Sequence, residues 1–370
     1  MNSILNNINN YSDLKNSVIS ANKSAISMLL NGKPFYIFGA GEYGQFVLDI
    51  CNSNGIKPLN FIDNKKSGTE INGKKVISID EIEDKDALII TASYFSSYYM
   101  HKQLLFKGFE NTLNFVVLLF YFDYFQHESL LKIKKDLLDI VENKNKYIES
   151  YNLFKDDESK ELFSTIINYR TTLDFNTLKS TYLSRKNIYF ENGIINLSTD
   201  EVFVDGGAYD GSTSLDFINR TQNSYKKIYV FEPCESFMQN SIQSLKNYKN
   251  IEFVKQGIFE TAQNLYFNDS LNYGSKIEQN GNVLISTATI DEVAKEDASF
   301  IKFDIEGNEA SGLKGAKQTI IKNKPKLAIC LYHKPEDLWE IPLLIKEFNP
   351  LYNFHLRYYE SICEIVVYAV

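Results

Sequence analysis

The chain lacks any run that could cross a bilayer: its most apolar stretch, residues 115–125, is broken by Asp123 and is too short. Its first residues, Met1-Asn2-Ser3-Ile4-Leu5, have neither the basic head nor the apolar middle of a secretory leader. Cysteine is scarce, four in 370 residues, and Cys51, Cys234, Cys330 and Cys363 form no C-x-x-C pair. Thiols scattered through apolar or helical stretches are those of a core kept in a reducing compartment, so a cytoplasmic protein is expected. Positive charge is not in excess either. Lys and Arg number 39 against 47 Asp and Glu, a net charge of −8, which argues against nucleic-acid phosphates or anionic membranes as the main partner.

What is present suits packed globular structure. Hydrophobic residues reach 44% and aromatics 14%, and 370 residues are long for one core and comfortable for two. The patterning divides the chain into N-terminal helices (1–31), a Rossmann-like α/β domain (32–126), a helical connector (127–195) and a second α/β domain (196–370). Ile4, Leu5, Ile8, Leu14 and Val18 begin a helical spacing that predicts one or two packing helices before residue 31. In the connector, Leu130, Leu131, Ile133, Leu137, Leu138 and Val141 are expected on one helix face.

In the front half, Phe35-Tyr36-Ile37-Phe38 reads as a strand entering a full G-x-G-x-x-G at Gly39, Gly41 and Gly44, then a helix to about residue 54. A second strand closes on Asp63, where the acid of a dinucleotide ribose site would stand. Two readings stay open: a nucleotide site built from these four residues, or glycines that only let a helix pack on a sheet.

The back half is organised around residues 201–214. Val202-Phe203-Val204 reads as a buried strand ending in Asp205, followed by a glycine turn and the polar start of a helix. Glycine there permits positive φ and close backbone approach to a ligand, and the helix start offers free N–H groups. The dinucleotide fingerprint is met only with Ala208 in its middle place. The form D-x-G-x-x-x-G is met in full by Asp205, Gly207 and Gly211. An acid in that position repels a pyrophosphate but suits the ammonium and sulfonium of S-adenosylmethionine. The cradle Asp205-Gly206-Gly207-Ala208-Tyr209-Asp210-Gly211-Ser212 is therefore expected to hold that cofactor.

Further strands bring more groups to the same edge. Residues 227–231 end at Glu232-Pro233, where the acid can accept both ribose hydroxyls. Residues 251–258 read as a third strand carrying Gln256, Gly257 and Ile258 beside the adenine, and short strands near 264–267 and 283–286 read as an insert. A fourth strand from Phe300 ends in Asp304, Glu306 and Glu309, able to cap the next helix, hold a divalent ion or orient a substrate hydroxyl. No metal is expected; should one be needed, these three acids are the ones at hand. A fifth strand delivers Tyr332-His333-Lys334, and an antiparallel hairpin over 352–358 and 362–369 completes a seven-stranded sheet.

Four motifs in order, Val204-Asp205-Gly206-Gly207-Ala208-Tyr209-Asp210-Gly211-Ser212-Thr213, Val230-Phe231-Glu232-Pro233, Ile301-Lys302-Phe303-Asp304-Ile305-Glu306-Gly307-Asn308-Glu309-Ala310 and Leu331-Tyr332-His333-Lys334-Pro335-Glu336-Asp337-Leu338-Trp339-Glu340-Ile341-Pro342, resemble the FkbM family of S-adenosylmethionine-dependent methyltransferases. The resemblance spans roughly residues 160–370. It implies a class I methyltransferase fold and O-methylation, commonly of sugars, glycans or polyketide-derived hydroxyls. The front domain resembles a Rossmann-like domain found on some sugar-modifying enzymes of bacterial surface polysaccharide pathways. The expected acceptor is thus a small molecule or glycan, nucleotide-sugars included, and an oligomer is compatible with this. A sugar hydroxyl needs a base, or a metal that lowers its pKa. His333 and Asp304 are the candidate bases, Asp304 equally a partner for the methionine ammonium, with Glu306, Glu309 and Lys334 toward the substrate. Many relatives end the fifth strand with Glu and a His pair where this chain has Cys330 and one His333, which leaves the base open. The competing expectations are a nicotinamide-dependent oxidoreductase or epimerase working from Gly39 to Asp63, and a non-enzymatic nucleotide-binding scaffold.

Overall fold

The computed structural model describes every residue except 95, 179–183, 269–275, 278–282, 295–296 and 360–363. Two compact units divide the chain: Met1–Lys144 with Phe163–Thr181, and Asn145–Leu162 with Tyr182–Val370. Among the described residues no helix is long and apolar enough to cross a membrane. Cys51, Cys234 and Cys330 are buried and form no disulfide, as expected of core cysteines, whereas Cys363 lies outside the described residues.

The first unit carries strands β1 (Phe35–Phe38), β2 (Phe61–Ile62), β3 (Glu70–Ile71), β4 (Lys74–Ile77), β5 (Leu88–Thr91) and β6 (Thr112–Asn114) in the order β3-β4-β2-β1-β5-β6. All neighbours are parallel except β3 and β4. Leu88, Ile89 and Ile90 are fully buried, the continuous apolar run expected of a central parallel strand. The helix Glu42–Ser53 follows β1 and buries Val47, Leu48, Ile50 and Cys51. Residues 1–31 form three helical stretches, Asn2–Asn6, Tyr11–Ala21 and Lys23–Leu30. The helix Glu128–Glu142 buries Leu130, Ile133, Leu137 and Ile140, but Leu131 is 49% exposed. Adjacent helical residues point about 100° apart, so Leu130 and Leu131 cannot share one buried face.

The second unit is built on β7 (Val202–Gly206), β8 (Lys227–Phe231), β9 (Ile251–Val254), β10 (Gly257–Ile258), β11 (Asn264–Asn268), β12 (Lys276–Ile277), β13 (Val283–Ala288), β14 (Phe300–Phe303), β15 (Lys326–Cys330), β16 (Phe354–Tyr358) and β17 (Ile365–Ala369). Seven of them form one sheet in the order β16-β17-β15-β14-β7-β8-β9, with β17 antiparallel to both its neighbours. The expected third strand is in fact two. Ile251–Val254 stays in this sheet, whereas Gly257 and Ile258 pair with Thr287 and Ala288 in a four-stranded sheet, β10-β13-β11-β12. The insert read from the sequence therefore forms its own small sheet. Phe190, Phe203, Phe217 and Phe300 stack together on one face of β7 and β14, each burial worth roughly 1.5–3 kcal/mol.

The strand order reverses between β7 and β14, which leaves a crevice at their carboxyl ends, the usual ligand position in an open α/β sheet. In register, Phe303 stands opposite Gly206 and Lys302 opposite Asp205, so the glycine turn and the acid-rich turn end side by side.

Candidate active site

The glycine turn is tight because another backbone fills the space a side chain would need. A Cβ on Gly207, at φ +73°, would lie 1.9 Å from the carbonyl oxygen of Asp304. The N–H groups of Gly207 and Ala208 both donate to Phe231 O, at 3.0 and 3.1 Å. Gly211 caps the helix Ser212–Arg220 in the left-handed region, and Asp210 accepts from Ser212 N at 3.0 Å. Tyr209 also has positive φ; it is half exposed and its ring lies 4.4 Å from that of Phe237.

Beneath this turn lies a lysine to which the sequence reading assigned no role. Lys302 is fully buried, and its ammonium donates to Asp205 Oδ1 (3.1 Å), Gly206 O (3.0 Å) and Gly207 O (2.8 Å). Burial alone would lower its pKa, but the charges of Asp205 and Asp304 hold it raised. Asp205 also accepts from Ser214 Oγ at 2.7 Å and is wholly buried. The negative charge read as facing the cofactor is thus matched from inside the protein. A lysine has three donors, and all three are used to fasten the turn.

Glu232, at the end of β8, accepts from Tyr209 N (3.1 Å) and Cys234 N (3.0 Å) and so ties the glycine turn to the neighbouring strand. Burial pushes its carboxyl up to about 7, although both N–H bonds and Lys302 pull the other way. Pro233 follows it, half-buried. Gln256 donates to Thr287 O at 3.4 Å, and Gly257 is buried in β10. Ile258 is buried, its Cδ1 only 2.7 Å from where a Gly206 Cβ would stand, so it walls the turn from below.

On the other side of the crevice the acids of the β14 turn gather around one imidazole. Asp304 accepts from Tyr189 OH on one oxygen and Tyr332 OH on the other, each at 2.8 Å. Burial opposes its ionisation, but Lys302, His333 and the two phenols hold its carboxyl below the ordinary value. His333 Nε2 lies 3.4 Å from Asp304 and 3.7 Å from Glu306, and Nδ1 lies 3.0 Å from Glu309 Oε1. Burial would lower its pKa, yet Glu309, Asp304 and Glu306 raise it to about 10, so the ring is an imidazolium at neutral pH. Glu309 is fully buried, and its Oε1 accepts from Ile305 N at 2.8 Å; its Oε2 has no partner among the described residues. Asp337, buried beside Glu309, has its pKa well above the ordinary value through burial and that charge. Lys334 is exposed, and its stem passes over Gly307.

Ligand atoms of Asp304, Glu309 and His333 lie within 4.8 Å of one another. The imidazole stands among the carboxylates, Nε2 nearest Asp304 and Nδ1 nearest Glu309, although Nδ1 makes no hydrogen bond. Tyr189, Tyr332, Lys302 and Asp337 all belong to this site. Tyr332, Lys302 and Asp337 sat inside the motifs, but the partner of each comes from another strand or helix.

In the first unit, Asp63 accepts from Ala40 N (3.0 Å), Lys65 N (2.9 Å) and Lys66 N (3.1 Å), while Lys66 Nζ donates to Ala40 O at 2.8 Å. The carboxylate offered to a ribose thus braces its own glycine loop. A Cβ on Gly44 would meet Gly39 O at 1.9 Å, so that glycine serves the packing of helix on loop.

A seven-stranded sheet with one reversed strand, a glycine turn after its central strand and an acid ending the next define the class I methyltransferase fold. Residues 205–360 match the family model of the methyltransferase FkbM domain. Residues 33–111 match a model described as C2185-like, N-terminal. The chain is similar in structure to methyltransferase FkbM from Methylobacillus flagellatus KT, with TM-score 0.74, 22% identity, and 100% of this chain and 98% of that one covered. An rRNA methylase from Streptococcus thermophilus has TM-score 0.30 and 17% identity, covering 47% of this chain and 87% of that one. Aeropyrum pernix fibrillarin in complex with natively bound S-adenosyl-L-methionine has TM-score 0.31 and 11% identity, covering 48% and 70%. No curated protein matches the sequence.

Proposed function

We propose that the protein transfers the methyl group of S-adenosylmethionine to a hydroxyl of a sugar, free, nucleotide-activated or within a glycan, in the cytoplasm. The observation that carries this reading is the meeting of two turns at the strand-order reversal, the glycine cradle after β7 and the carboxylate turn after β14. The donor is a cation twice over, at its sulfonium and its ammonium. Around His333 three carboxylates face one imidazolium, and the Asp205 charge is balanced by Lys302, so the crevice keeps an excess of negative charge that favours such a ligand. In this reading Asp205 through Ser212, with Gln256 and Gly257, shape the adenosine side and Glu232-Pro233 meets the ribose. Asp304 faces the methionine ammonium, and Lys334 with Glu306 stands toward the acceptor, whereas Glu309, expected there too, is fully buried. The donor supplies an activated methyl group; the protein supplies alignment and the exclusion of water. Mass spectrometry of nucleotide-sugars and glycans after incubation with methyl-labelled donor tests it. A gain of one labelled methyl on a sugar oxygen is expected, and label found only on nitrogen, carbon or nucleic acid would sink the reading.

A further inference from the structure

We infer that Glu306 is the catalytic base of the transfer, the group that takes the proton of the acceptor hydroxyl. The inference rests on the hydroxyl-methylation reading above and assigns a residue to a step that reading leaves open.

The turn after β14 gathers five groups that could in principle take a proton, and the geometry favours one. Both Asp304 oxygens already accept a phenol, from Tyr189 and Tyr332 at 2.8 Å each. Glu309 has no exposed surface, and Asp337 is buried with Oδ2 accepting from Lys334 N at 2.7 Å. His333 has a carboxylate near each ring nitrogen, at 3.0 Å from Nδ1, which makes no hydrogen bond, and at 3.4 and 3.7 Å from Nε2, and only 10% of its side chain is exposed. Glu306 is the most accessible member of the cluster: its side chain is 41% exposed, against 26% for Asp304 and 10% for His333, while Oε2 stands 3.7 Å from the imidazole.

The backbone supports the same assignment. Glu306 has φ +56° and Gly307 φ +88°, two successive left-handed residues at the carboxyl edge of β14. Glutamate is strained in that region where glycine or asparagine would sit easily, so the side chain is kept there at a cost to the turn. The turn lies against the cradle, since Asp304 O is the atom that a Cβ on Gly207 would strike. Burial, with Asp304 and Glu309 adding to it, raises the Glu306 carboxyl above the usual range, while His333 and Lys302 oppose this.

In the step, the acceptor oxygen forms its bond to the methyl carbon as the carbon–sulfur bond breaks, and that electron pair goes to sulfur. The hydroxyl proton passes to the Glu306 carboxylate. The products are a methyl ether, S-adenosylhomocysteine and a neutral carboxylic acid, which then returns its proton to water.

The test compares full-length wild type, Glu306→Gln and Glu306→Asp by calorimetry with S-adenosylhomocysteine and by methyl transfer from labelled donor to a panel of nucleotide-sugars. Glu306→Gln should bind S-adenosylhomocysteine as wild type does and lose about 10²-fold or more in kcat with KM little changed, and Glu306→Asp should recover part of the loss. Wild-type kcat in the Gln variant overturns the assignment. So does loss of S-adenosylhomocysteine binding, which would make Glu306 a cofactor ligand. Activity abolished by EDTA and restored by Mn²⁺ would transfer the role to a metal and overturn it as well. Wild-type protein that binds S-adenosylhomocysteine yet methylates no hydroxyl of the panel sinks the parent reading, and the base with it.

Discussion

The two units each contain a strand, a glycine turn, a helix and a neighbouring strand that closes on an acid, and they use that acid alike up to a point. Asp63 accepts from Ala40 N in the first turn, as Glu232 accepts from Tyr209 N in the second. They differ in what surrounds the carboxylate. For Asp63, burial is outweighed by three backbone N–H groups and Lys66, and its pKa is lowered. For Glu232, burial wins and its pKa rises to about 7. They differ more on the far side of the turn, where, among the described residues, only the second unit sets a carboxylate turn and an imidazolium against the glycines. A glycine turn is therefore a scaffold that either unit can build, and the chemistry comes from what the next strand across brings to it.

The largest effect should come from adding one methyl group. Gly207→Ala drives a Cβ to 1.9 Å from Asp304 O at positive φ. It should destabilise the protein by about 3 kcal/mol and abolish S-adenosylhomocysteine binding in calorimetry. Gly41→Ala meets nothing within 4 Å and should leave both unchanged. Equal behaviour of the two variants would end the contrast between the turns.

Lys302→Met comes next. It strands Asp205 as an unpaired buried charge, and chemical denaturation should show a loss of about 3 kcal/mol. A Lys302→Met, Asp205→Asn double variant should recover part of it, and additive losses would show the pair to be uncoupled.

His333 gives a pH-dependent term. Its folded pKa, about 10, lies above the unfolded value near 6.5, so its contribution is complete below about 6.5 and lost as pH rises through about 10. The stability gap between wild type and His333→Gln should narrow over that window, and a gap independent of pH would show the ring to be neutral.

The smallest effect concerns Glu232. If its ionised form is the one that receives the ribose, S-adenosylhomocysteine affinity should rise as pH passes upward through about 7, and Glu232→Gln should flatten the curve. An affinity flat in the wild type from pH 6 to 8 would remove Glu232 from the cofactor's partners.

Much of this was legible in the chain. Short-range pattern located the β7 turn, the Glu232 strand end and the Asp304-Glu306-Glu309 turn, because apolar runs bounded by glycine and acid encode strand ends locally. The break at Gln256 was not legible, because Gly257 and Ile258 leave the main sheet to pair with residues 287 and 288, about thirty positions away. Nor was the division of labour among the acids. Asp205 looked free until Lys302 came beneath it, and Asp304 looked free until Tyr189 and Tyr332 closed on it.

By itself the sequence determined where strands end, where the backbone must take positive φ, and which residue types stand at the carboxyl edge. Only the tertiary structure decided which charges remain unmatched there. Hydrophobic periodicity and glycine conformation act over a few residues, whereas the protonation and pairing of a buried carboxylate depend on every group that folding brings within a few ångströms.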